Sequence, residues 1–116
     1  MTRKIIGVLI ITAGITGCVY NKEELLYPGS SDCSTLNISF SADIQPIIQS
    51  SCAVAGCHDA SSGNKGGPFI NYTQIKNKAT TIKNQVVAGK MPQGSTLTSN
   101  QIKLIRCWVE KGALNN

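Results

Sequence analysis

Histidine occurs once in the 116 residues, as His58, methionine twice, as Met1 and Met91, and aromatic side chains six times. The aromatics are Tyr20, Tyr27, Phe40, Phe69, Tyr72 and Trp108. A domain this short and this poor in large rings buries a marginal core unless a disulfide, a metal or a cofactor supplements it. Acidic residues are also scarce, six against eleven Lys and Arg. With Arg3 and Lys4 assigned below to a removed leader, nine basic side chains face six acidic ones, a mildly basic balance. Nucleic-acid binding needs Lys and Arg clustered on one face, and no such cluster is present, so no nucleic-acid partner is expected. Paired carboxylates, nucleophile motifs and a phosphate loop are missing too, which argues against a hydrolase or a kinase and leaves no substrate-turnover site evident.

What is present begins with an address. Arg3 and Lys4 precede the apolar run from Ile5 to Ile15, which breaks at Gly17 and Cys18 in the charged, apolar, small-residue order of a secretory signal. A spanning helix needs about 20 apolar residues, and this run is too short. The stretch Ile15-Thr16-Gly17-Cys18 resembles the lipobox of bacterial lipoproteins. That resemblance implies cleavage after Gly17 and acylation of Cys18, hence a signal peptide over 1–17 and a chain held to a membrane outside the cytoplasm, on the periplasmic or outer-membrane side. An ordinary secretory signal with a chance cysteine is the alternative.

Residues 18–35 then read as the acylated cysteine and a flexible linker, polar and punctuated by Pro28-Gly29-Ser30-Ser31. The domain itself is assigned to 36–116. Leu36, Ile38 and Phe40 alternate with polar residues, as in an extended arm with one buried face. Asp43 is placed as the N-cap of a helix carrying Pro46 in its first turn and Ile44, Ile47 and Ile48 on its inner stripe. Residues 59–68, with three glycines and a proline, form a loop. From Tyr72, the positions Ile75, Ala79, Ile82 and Val86 make a helical stripe that stops at Gly89, in one helix or two. The final helix has a Thr98/Gln101 capping box, an apolar face of Ile102, Ile105 and Val109, and Gly112 after its end. No strand pattern remains, so the fold class is all-α with three to four helices.

The five cysteines divide by context. Cys52 and Cys57 lie close together with His58 next to the second. The segment Cys52-Ala-Val-Ala-Gly-Cys57-His58 admits three readings: a small disulfide loop, a zinc site lacking its fourth ligand, or a haem attachment site with two thiols for the vinyl groups and an imidazole for the iron. In this last respect the chain resembles the small c-type cytochromes, and more closely the cytochrome-like domains of bacterial lipoproteins. Their pattern runs F-x-x-D-I-x-P-I, Cys…Cys-His, a Gly-rich loop, G-x-M-P, and W-[IV]-x-x-G-A. The matching stretches are Phe40 to Ile47, Cys52 to His58, Gly63 to Pro68, Gly89 to Pro92, and Trp108 to Ala113. One departure is that four residues separate the thiols, against two in the family motif.

The resemblance implies a cytochrome c-like fold around one covalent haem c, bound by Cys52 and Cys57 with His58 on the iron. Met91 is then the candidate for the other axial position, because it is the one methionine left once Met1 is removed; a gap-filling core methionine is the alternative. Cys33 and Cys107 remain, and outside the cytoplasm they are expected to pair or to stay as buried thiols. Trp108 is read as core. Lys65, Lys76, Lys78, Lys83, Lys90, Lys103 and Lys111 form either a collar steering the haem edge to an acidic redox partner or ordinary solvated charges. The expected function is electron transfer by a lipid-anchored cytochrome. A five-coordinate haem sensor or small catalyst, and a haem-free disulfide-stapled binding lipoprotein, are the rivals.

Overall fold

The computed structural model describes residues 32–63 and 66–116. The leader, Cys18 and most of the linker therefore lie outside the described residues, as do Asn64 and Lys65. Within them the molecule is all-helical, with three α-helices and no strand. We label these α1 (Gln45–Ser51), α2 (Tyr72–Val87) and α3 (Ser99–Glu110).

The extended arm enters with Ile38 and Phe40 buried and Asn37 exposed, the alternation its sequence predicts. Where α1 starts, expectation and structure differ. A π-helical turn, Phe40–Ile44, runs straight into α1, and Ser39, not Asp43, is its N-cap. Ser39 Oγ accepts from the Ala42 amide at 3.2 Å, while the Asp43 carboxylate accepts from the Ser39 amide at 2.8 Å. The wider turn puts the acidic partner four residues after the cap, where an α-helical capping box would have it at three. Asp43 thus supports the start of the helix from inside its first turn.

α2 is a single helix of 16 residues. Asn71 caps it by accepting from the Gln74 amide at 3.0 Å, and Ile75, Ala79, Ile82 and Val86 are its buried face. α3 has the reciprocal Thr98/Gln101 box, and its Ile105, Cys107 and Trp108 are buried. The core gathers where α1, α2 and α3 meet. Phe40 lies 5.0 Å edge-on from Tyr72 and 5.6 Å from Trp108, joining the arm to both long helices.

The tail after α3 ties these parts together through polar groups. Trp108 Nε1 donates to the Leu114 carbonyl at 2.9 Å and Tyr72 Oη to the Ala113 carbonyl at 2.8 Å. The Asn116 amide accepts from Phe40 N at 2.8 Å and donates to the Ile38 carbonyl at 3.0 Å. Lys76 and Lys111 reach the carbonyls of Gly112 and Leu36, so these two lysines serve the tail and the arm. Cys33 and Cys107 are disulfide-bonded, with their Cα atoms 5.3 Å apart, which fixes the start of the arm to α3.

Candidate functional site

α1 ends at Cys52, whose amide still bonds to the Ile48 carbonyl at 2.9 Å. The chain then leaves the helix in a turn closed by Cys57 N donating to the Val54 carbonyl at 3.0 Å. Val54, Ala55 and Gly56 stand out in solvent. Beneath them, His58 N donates to the Cys52 carbonyl at 3.0 Å, so both ends of the extra-long spacer close on each other. The four-residue spacer thus loops outward at Val54 and Ala55, and Cys52, Cys57 and His58 remain together.

His58 is oriented from several sides. Its Nδ1 lies 3.0 Å from the Gly67 carbonyl, which can only accept, so Nδ1 is the donor and Nε2 is the ring nitrogen this bond leaves unengaged. Phe69 stacks on the imidazole at 4.3 Å, and the Phe69 amide donates to the His58 carbonyl at 2.9 Å. Gly67 has φ +83, which an L side chain rarely adopts, and Pro68 follows it. Past His58, Asp59 accepts from Ser61 Oγ at 2.6 Å and from Ser62 N at 3.0 Å, and these bonds hold its carboxyl below its usual range.

On the opposite side, α2 stops at Gly89, whose φ of +65 turns the chain back across the helix end. Lys90 N and Met91 N both donate to the Gln85 carbonyl, at 2.9 and 3.3 Å, and the Met91–Pro92 peptide is cis. These bonds fix Met91 beside the last turn of α2.

One cavity of about 390 Å³ joins the two sides. Cys52, Cys57, His58 and Met91 all line it, with Phe69, Ile82 and Val86 supplying apolar wall. Its size falls within the roughly 300–1,000 Å³ of small-molecule and cofactor clefts. Cys52 is 7% exposed, and burial, with the neighbouring Cys57 thiol adding to it, pushes its own thiol up from 9.0 to about 11. Cys52 and Cys57 stand outside the disulfide and are not bonded to each other. Cys33, Cys107 and Glu110 also lie together, but the two sulfurs are already bonded and offer no thiolate to a metal.

The donor set fits a covalently attached haem: two thiols, an imidazole held through Nδ1, and a thioether, all against one apolar-walled cavity. Sequence reasoning did not single out the Gly67 carbonyl, the Phe69 ring or the Gln85 carbonyl. A backbone acceptor leaves no signature in residue type; the Gly66-Gly67-Pro68 run beside the lone histidine was the available signal. Comparison with known protein families, with curated proteins and with solved structures returns no match.

Proposed function

We propose that this protein is a monohaem c-type cytochrome that transfers electrons from a lipid anchor in the bacterial cell envelope. The observation that carries the reading is the convergence on one cavity of Cys52, Cys57, His58 and Met91, with His58 already oriented through Nδ1. When bound, haem c supplies a one-electron ferrous/ferric couple.

The chain's own residues do the rest. Cys52 and Cys57 are the thiols that would hold the haem as two thioethers and keep so small a domain from losing its cofactor. His58 would hold the iron through Nε2, and the Gly67 carbonyl fixes the ring's orientation through Nδ1. The Gln85 carbonyl anchors the Met91 loop, so the Met91 thioether would be held at the cavity wall as a second ligand for the iron. Phe69, Ile82 and Val86 give the cavity an apolar wall, and such a wall together with a soft thioether ligand would favour the ferrous state. No acid, base or nucleophile is required, which fits an electron carrier serving redox partner proteins.

The test is the visible spectrum of protein exported with the haem-attachment machinery. Low-spin c-type bands that persist in denaturant are expected, and their loss in the Cys52→Ala/Cys57→Ala variant. High-spin bands with rapid carbon monoxide binding would mean a five-coordinate sensor. A colourless, correctly exported protein overturns the cytochrome reading altogether.

A further inference from the structure

Haem carries two propionates, and an apolar cavity cannot take up a carboxylate cheaply unless a cation or a set of donors meets it. Among the described residues, Lys78 is the single Lys, Arg, Asp or Glu that lines the cavity. Its placement follows from α2. Lys78, Thr81, Ile82, Gln85 and Val86 are spaced i, i+3, i+4, i+7 and i+8, one face of the helix, and all five line the cavity. Ile82 and Val86 are buried, whereas Lys78 is exposed, which puts the ammonium at the mouth and the apolar residues deeper. Seven residues of helix separate Lys78 from Gln85, the residue that anchors Met91, a rise of about 10 Å. The charge therefore sits at the end of the wall remote from the thioether.

Resting on the haem reading above, we propose that Lys78 is the counter-ion of a haem propionate and a positioning residue that seats the cofactor's acidic edge at the mouth of the cavity. Its charge has two consequences. A cation at the mouth of the cavity would disfavour the ferric state, the more positive of the two, by an amount that salt reduces. It also holds the propionate ionised to lower pH, because an opposite charge favours the charged form.

The test compares redox titrations of holoprotein carrying Lys78→Gln, Lys78→Arg or Lys83→Gln, at low ionic strength and across pH. Lys83 is on the same helix and is not part of the cavity wall, so it controls for loss of charge alone. Lys78→Gln is expected to lower the ferrous-to-ferric ratio at a fixed potential by about two- to tenfold, where tenfold is about 59 mV for one electron. The pH at which the potential begins to fall should move upward, and Lys78→Arg should restore both. Equal effects of Lys78→Gln and Lys83→Gln, or an unmoved pH profile, overturn the assignment while the spectrum still supports the haem. A wild-type protein without c-type bands overturns both.

Discussion

Met91 sits where two backbone amides, its own and that of Lys90, share the Gln85 carbonyl, so its side chain is presented by a fixed loop at the edge of the cavity. Replacing it with Ala should leave attached haem in place and open one axial side. The expected outcome is a high-spin spectrum, rapid carbon monoxide binding when reduced, and a lower potential. The drop should be on the order of tenths of a volt, given the roughly 0.8 V that axial ligand sets span. Met91→His should restore six-coordination and keep the potential low; an unchanged spectrum and potential in Met91→Ala would reduce Met91 to core filling. Cys52 gives a second, independent check in chain exported without haem attachment. Its thiol is pushed to about 11, mainly by burial, whereas an unfolded chain releases the proton near 9.0. Between those values the folded state holds a proton the unfolded state has lost, so stability falls as pH rises, by about 1–3 kcal/mol in all. Denaturant titrations from pH 8 to 11 should show that slope, and Cys52→Ala or thioether formation should remove it. A slope unchanged in Cys52→Ala assigns it to another group.

At the scale of elements, the cap chemistry of α3 and the apolar stripe of α2 were legible because each is decided within a few residues: Thr98 meets Gln101 one turn on, and Ile75 to Val86 recur at helical spacing. The start of α1 was not. Its π-helical turn lies against Asn116, whose backbone carbonyl accepts from Ser41 N and whose side chain accepts from Phe40 N. A contact between residues 76 positions apart leaves no local pattern, and Asp43 consequently looked like a cap. The site shows the same division. The side chains Cys52, Cys57, His58 and Met91 could be read by type, while the carbonyls that orient His58 and Met91 could not. The disulfide is the element-scale feature with the largest expected effect, because it ties the arm to α3 across a separation of 74 residues. In the chain-entropy model a loop of that length contributes about 4 kcal/mol. Cys33→Ser combined with Cys107→Ala, the latter chosen because Cys107 is fully buried, should cost about 2–5 kcal/mol in denaturant unfolding and leave the visible spectrum unchanged. A loss below about 0.5 kcal/mol would show that the polar contacts of the tail suffice to hold the arm.

For the whole molecule, attachment to the membrane and stability of the domain are separate problems. No helix among the described residues is long and apolar enough to cross a membrane, and the anchor proposed above is the acylated Cys18. Cys18→Ser should move the domain to the soluble fraction, and retention after a salt wash would mean that a partner or another segment holds it. Stability depends on the cavity. An apolar-walled space of 390 Å³ forfeits packing that a filled core would have. At about 24 cal/mol per Å³ a closed void of this size would cost on the order of 9 kcal/mol. This cleft is open to water, so that cost does not fall on the empty chain; a haem seated in it would instead stabilise the fold through the apolar wall it covers, at about 25 cal/mol per Å². If haem fills it, the wild-type chain with and without attachment should differ in melting temperature by at least about 10 °C, at about 4–8 °C per kcal/mol for a domain of this size. Because both samples have the same sequence, the comparison is free of any cost of substitution. The unattached chain should also be cut sooner by protease in the α2–α3 connection, where Met91 loses its partner across the cavity while the disulfide still holds Cys107 and the arm. Equal melting temperatures and equal cleavage would mean that the helices and the disulfide stabilise the fold by themselves, and that the cavity is a binding site whose occupant contributes nothing to the core.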